Sequence, residues 1–200
     1  MANILGEGQV IFYTQSGLVS VAPKTGAVLW RLPFKMARGA AAISPVVAGD
    51  TVYYSASYGR GSTACKITKT GDTYAATELW SSKDINNHWS TPVVVDGYVY
   101  GLFGQAKFGQ APLECVELAT GKVVWSQGGF GPGGCTLVDG NLLVLSDAGD
   151  LVLVKATPTA YTELDRSHIL AGKCWNGVGI SNGRVYARST TEGVCVDLKP

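Results

Sequence analysis

An all-β chain folded as a β-propeller of four-stranded antiparallel blades is predicted by three observations on the 200-residue sequence. Glycine-centred turn signals recur at Gly8, Gly49, Gly97, Gly140 and Gly183, spaced by 41, 48, 43 and 43 residues. Each is followed by a run rich in β-branched and aromatic residues, the pattern of a hairpin's second strand. No window carries the 3.6-residue apolar period of an amphipathic helix. Four short strands in a period of about 40–45 residues is the signature of a propeller blade.

Taken in order, the hairpin runs are Val10-Ile11-Phe12-Tyr13, Val52-Tyr53-Tyr54, Val99-Tyr100, Leu142-Leu143-Val144-Leu145 and Val185-Tyr186. A short apolar strand precedes most of them, as in Pro45-Val46-Val47-Ala48 and Pro92-Val93-Val94-Val95. Third strands follow around Leu18, Cys65, Cys115, Leu151 and Cys195. A second turn then leads to a fourth strand closing on Trp30, Trp80 or Trp125, with Leu164 in the tryptophan's place in the fourth repeat. The fifth repeat stops after its third strand. The blades are 1–32, 41–82, 89–127, 133–166 and 174–198, within one domain covering 1–200. Blade two carries an insertion between Cys65 and Trp80, and only residues 165–172 are compatible with a helical turn.

A single blade has two apolar faces and cannot bury both alone, so blades must stack in series. The closing tryptophans are expected to dock between neighbours. The glycines of the Thr25-Gly26 and Thr120-Gly121 turns supply positive φ. A three-stranded fifth blade would leave a bare edge near residues 193–198, which natural sheets usually cover. Two architectures follow: an open arc of four and a half blades, which is the expectation, and a closed five-bladed ring.

The totals exclude several classes of function. Apolar residues make up 46% and charged residues 16%, with a formal net charge of +1 and no basic block, so a nucleic-acid partner is not expected. No apolar run reaches the roughly 18 residues of a membrane span. The N-terminus lacks a charged segment followed by an apolar one, so no signal peptide is expected. Five cysteines without CxxC spacing read as buried free thiols.

The stretch Glu117, Thr120, Gly121, Lys122, Trp125, echoed by Thr25, Gly26 and Trp30, resembles the tryptophan-docking repeat of pyrroloquinoline quinone (PQQ)-like β-propellers. The segments Asn87-His88-Trp89-Ser90-Thr91-Pro92-Val93, Gly172-Lys173-Cys174-Trp175 and Arg184-Val185-Tyr186-Ala187-Arg188 are similar to the C-terminal half of exported PQQ-like repeat proteins. That resemblance implies a periplasmic or otherwise extracytoplasmic location. It also implies complete rings of seven or eight blades, the last blade closed by a strand from the N-terminal segment.

Quinoprotein enzymes of this type hold the quinone beside a vicinal disulfide and a calcium ion. This sequence has no adjacent cysteines and no carboxylate-rich loop, so no cofactor, no metal and no catalytic residue is expected. Trp89 and Trp175 each stand eight residues before their blade's hairpin glycine, with His88 and Cys174 as equivalent neighbours and Lys173 just before Cys174. His88, Trp89, Lys173 and Trp175 are the candidate channel-mouth binding set, suited to stacking on a sugar or gripping an anion. The alternative is that both indoles fill gaps near the axis. A Cys174–His88 nucleophile pair lacks any orienting third group. Phe103 and Phe108, in the loop at 101–112, are candidate exposed partner contacts. Lys35, Arg38, Arg60, Lys107 and Arg188 are dispersed charges that would give one rim a mild positive cast.

The expected function is therefore a non-enzymatic scaffold that binds a protein or peptide at its rim or channel mouth. The second reading is a fragment of a quinoprotein-like or carbohydrate-active propeller enzyme whose catalytic residues lie elsewhere.

Overall fold

A computed structural model describes residues 1–34, 42–104 and 111–198. Lys35, Arg38, Lys107 and Phe108 lie outside the described residues. The described chain forms five antiparallel sheets in sequence order. The first contains β1 (Ala2–Ile4), β2 (Glu7–Thr14), β3 (Gly17–Val21) and β4 (Val28–Pro33). The second contains β5 (Val46–Ala48), β6 (Thr51–Ala56), β7 (Gly61–Thr70) and β8 (Thr73–Ser82). The third holds β9 (Val93–Val95), β10 (Tyr98–Leu102), β11 (Leu113–Glu117) and β12 (Val123–Gln127). The fourth holds β13 (Gly134–Val138), β14 (Asn141–Leu145), β15 (Asp150–Lys155) and β16 (Glu163–His168). The fifth has three strands, β17 (Gly179–Ser181), β18 (Arg184–Arg188) and β19 (Gly193–Asp197). Among the described residues the blades do not close into a ring. Phe12 and Tyr186, on the outward faces of the first and fifth sheets, are 53% and 46% exposed.

The structure departs from the sequence reading in several places. The first hairpin turns at Leu5-Gly6, not at Glu7-Gly8, because Leu5 adopts φ 53° and Gly6 φ 81°. A leucine in a left-handed position carries no turn signature, whereas Asp96, Asp139 and Asn182 at the equivalent turns do. Residues 165–168 belong to β16 and are not helical. The insertion expected between Cys65 and Trp80 lengthens β7 and β8 to ten residues each, around a turn at Gly71-Asp72.

A further correction concerns the closing tryptophan. In all four complete blades the outer strand bulges at one place, and in the first three a tryptophan sits just after the bulge. Trp30 pairs with Ser20, Trp80 with Ala64 and Trp125 with Cys115. In blade four the residue at that register is Asp165, opposite Leu153, while Leu164 occupies the bulge. The fourth blade has therefore exchanged its tryptophan for a carboxylate.

The core lies between the sheets. Blades one and two share Ile4, Leu18, Trp30, Phe34, Val52, Tyr54, Cys65 and Ile67. Blades two and three share Tyr53, Ala64, Val99 and Val116, with Trp80 packed against them. Blades three and four share Tyr100, Leu113, Cys115, Leu142, Val144 and Val152. Four cysteines are buried as expected, and Cys195 is exposed. Phe103 is also a core residue, 3% exposed, which removes it as an exposed contact. Arg60 lies with its guanidinium 3.7 Å above the Phe34 ring, a cation–π contact and not a loose surface charge.

The docking of each tryptophan is directional. The Trp80 indole donates its N–H to the Leu118 carbonyl at 2.7 Å, and Trp125 donates to the Thr157 carbonyl at 2.9 Å, each in the following blade. Trp30 meets the elongated β7–β8 hairpin instead, and its N–H goes to Gln9 Oε1 of its own blade at 2.8 Å. Gly121 explains why the turn glycine is needed. A Cβ there would lie 2.7 Å from the Trp80 ring, and its φ is +74°. Gly26 has nearly the same φ, +72°, but nothing within 4 Å. Gly121→Ala should therefore lose the backbone cost of about 1–2 kcal/mol plus about 1–3 kcal/mol of overpacking, while Gly26→Ala loses only the first. Urea denaturation of the matched pair checks this. Equal losses would show that the seat under Trp80 is unimportant.

Candidate partner-binding site

Four innermost strands, β1, β5, β9 and β13, line a concave space of about 690 Å³ whose wall includes Asn3, Ile11, Val46, Val93 and Leu137. Thr91 belongs both to this wall and to a smaller recess of about 260 Å³ formed by Trp89, Ser90, Cys135, Trp175 and Asn176. The recess therefore adjoins the concave space at Thr91. The sequence reading set His88, Trp89, Lys173 and Trp175 before β9 and β17 as a candidate binding set; of these, Trp89 and Trp175 line the recess, and the fold decides which of the four meet.

Three of the four come together. The His88 and Trp89 rings are 4.3 Å apart, and Trp89 stands 6.4 Å from Trp175 although the two precede strands of blades three and five. Blade four would separate them if its innermost segment were bulky. That segment is Gly131-Pro132-Gly133-Gly134. A Cβ on Gly134 would lie 2.2 Å from the Gly177 Cα, so only glycine lets the blade-five segment approach. Pro132 accepts the Trp89 indole N–H at 3.0 Å, which fixes the orientation of that ring.

Lys173 is held differently. Its ammonium pairs with Asp147 at 3.2 Å and its backbone N–H donates to Thr190 Oγ1 at 3.3 Å. It therefore ties the segment before β17 to the β14–β15 turn.

Tyr58 joins the group although nothing in the spacing singled it out. It stacks edge-on to His88 at 5.3 Å and is 51% exposed, and Trp175 is 48% exposed. Its φ of 56° is unusual for a bulky side chain, and strain of this kind concentrates at functional loops. The available signal was an aromatic set among glycines, Tyr58-Gly59-Arg60-Gly61. Tyr58, His88, Trp89 and Trp175 thus form one continuous aromatic row, polar in the middle and exposed at both ends.

Burial holds the His88 imidazole below its ordinary value of 6.5. Its Nδ1, like Ser90 Oγ, is buried without a hydrogen-bond partner among the described residues. The fold favours the neutral ring, so this contribution is complete above the unfolded pKa and is lost as pH falls through the lowered one. The thermal midpoint of the wild-type chain should fall between about pH 7 and about pH 5. A His88→Asn chain should show a smaller drop. An equal drop in both would contradict the assignment. Cys174 offers no nucleophile, being fully buried with Leu145, Leu170 and Ala187, and burial raises its thiol, opposite to activation. His168, on the outer strand of blade four, bonds Asp150 Oδ1 at 2.9 Å and lies on the surface.

This architecture, successive four-stranded blades clasped by bulge-positioned tryptophans, defines a PQQ-like β-propeller repeat protein. A family model described as outer membrane protein assembly factor BamB matches residues 1–127. The chain belongs to that family. The BamB protein of Yersinia pestis is 26% identical over 208 residues, covering 95% of this chain and 51% of its own length. That of Moranella endobia is 26% identical over 180 residues, covering 84% and 43%. The chain thus spans about half the length of these relatives. Among solved structures, BamB from Moraxella catarrhalis superimposes with a TM-score of 0.66 at 14% identity, covering 94% of this chain and 53% of that one. The computationally designed Ika8 protein gives 0.62 at 12% identity, covering 90% and 52%, so the likeness extends to propellers of unrelated origin.

Proposed function

We propose that this chain is a non-enzymatic propeller scaffold that serves outer-membrane protein assembly from the periplasm, binding a protein or peptide partner at the aromatic mouth. The observation that carries the reading is the row Tyr58–His88–Trp89–Trp175, exposed at both ends and rigidly backed in the middle. Tyrosine and tryptophan anchors of this kind dominate protein interfaces because they contribute large contact area at low entropy cost. The name of the curated relatives, assembly factor, supports a protein partner over a small substrate.

Site-specific photo-crosslinking in a bacterial periplasm tests this directly. A benzophenone side chain introduced at Tyr58 or Trp175 should yield one discrete adduct with an outer-membrane assembly protein. The same group at Val123, exposed on the outer strand of blade three, should yield none. Absence of an adduct from the mouth, or equal adducts from all three positions, would overturn the reading.

A further inference from the structure

The exchange of tryptophan for Asp165 leaves a space. Between blades four and five, at the register filled elsewhere by an indole, lies a groove of about 340 Å³ lined by Leu143, Leu151, Leu153, Val196 and Leu198, with Asp165 among its lining residues. At the other interfaces the corresponding residue is Trp30, Trp80 or Trp125, packed against the apolar core there. The groove is therefore a tryptophan seat without its tryptophan.

We propose that this groove binds a tryptophan side chain of a partner peptide that carries a basic residue beside it. Three precedents within the molecule give the shape and the polarity of the occupant. In each the ring lies against apolar side chains, and its N–H is satisfied by an oxygen: Gln9 Oε1, the Leu118 carbonyl or the Thr157 carbonyl. In the groove the exposed carboxylate of Asp165 stands at the register of the indole itself. Its Oδ1 accepts the Arg166 backbone N–H at 2.8 Å, and the carboxylate keeps acceptor positions for an indole N–H and a charge to meet a cation. The neighbouring Arg166 does not neutralise it through its guanidinium, which bonds Glu163 at 2.9 Å and Asp150 at 3.0 Å. Among the described residues that line the groove Asp165 is the one charged side chain, so the described wall sets a carboxylate in an apolar seat. An aromatic anchor in an apolar pocket with a charge at its edge is the usual composition of an interface hot spot. The site is separate from the mouth and does not depend on the function proposed for it.

The test uses the full chain and the peptide acetyl-Lys-Trp-Lys-amide, followed by methyl NMR. Saturable shifts are expected at Leu143, Leu151, Leu153 and Val196, and none with acetyl-Lys-Ala-Lys-amide. Asp165→Trp should fill the seat in cis, abolish those shifts and raise the thermal midpoint. Asp165→Asn should weaken the lysine-containing peptide at least about 3-fold while leaving N-acetyl-tryptophanamide unchanged, since only the cation is lost as a partner. Trp175→Ala should change none of this. Shifts that do not saturate, that appear equally with the alanine peptide, or that persist in Asp165→Trp would overturn the proposal.

Discussion

Trp30→Ala is expected to destabilise the chain by about 3–5 kcal/mol, a large share of the roughly 5–15 kcal/mol that holds a domain folded. Trp30 is 3% exposed and packs with Val52, Tyr54, Ile67 and Tyr74 across the first blade interface. Its removal also takes one donor from Gln9, which is fully buried and accepts from Ser20 Oγ at 2.7 Å as well. Because blades contact mainly their neighbours, the loss should be felt first in blade one. Guanidinium denaturation should show the lower midpoint, and hydrogen exchange should show amides of β1–β4 losing protection before those of β13–β16. Trp125→Ala should cost less, because that ring is only half buried. A Trp30 variant within about 1 kcal/mol of wild type would contradict the clasp role given to this residue.

Asn87→Ala should have the second largest effect, about 2–5 kcal/mol, for a reason unrelated to apolar area. Asn87 is fully buried between blades two and three and binds both. Its amide donates to the Leu102 carbonyl at 2.8 Å, and its Oδ1 accepts from the Tyr53 hydroxyl at 2.5 Å. Tyr53 also meets Ser62 Oγ at 2.7 Å, and Ser62 donates to Ser55 Oγ at 3.0 Å. Alanine would leave a buried carbonyl without its partner and open a knot that is otherwise satisfied. Asn87→Asp should be no better, since it keeps the acceptor but loses the donor to Leu102. Urea titration of both variants checks this. Near-wild-type stability in either would show that water replaces the side chain at no cost.

The sequence disclosed the blades because the repeat is local. Turn residues, alternating strands and Thr-Gly-x-x-x-Trp lie within a few positions of one another, as at Thr120 to Trp125. What escaped it depends on register and on distant pairing. The bulge before Trp30, Trp80 and Trp125 is invisible without knowing strand partners, which is why Leu164 stood in for Asp165 and the groove beside it went unseen. Phe103 read as a loop aromatic because the core contacts it makes, with Tyr53, Ile85 and Val99, come from other segments. The aromatic row was half legible. Equivalent spacing found Trp89 and Trp175, but Tyr58 reaches His88 from another blade, and Asp147 holds Lys173 through an ion pair 26 residues away in sequence.

The central claim is that the mouth aromatics bind a protein. Its most direct measurement is the affinity of the assembly protein trapped by crosslinking for wild-type chain and for a Tyr58→Ala, Trp175→Ala double variant. Both rings are about half exposed, so the variant should keep its thermal midpoint. Its affinity should fall at least about 10-fold, as loss of two aromatic anchors requires. Equal affinity of the two proteins, with folding intact, would contradict the account.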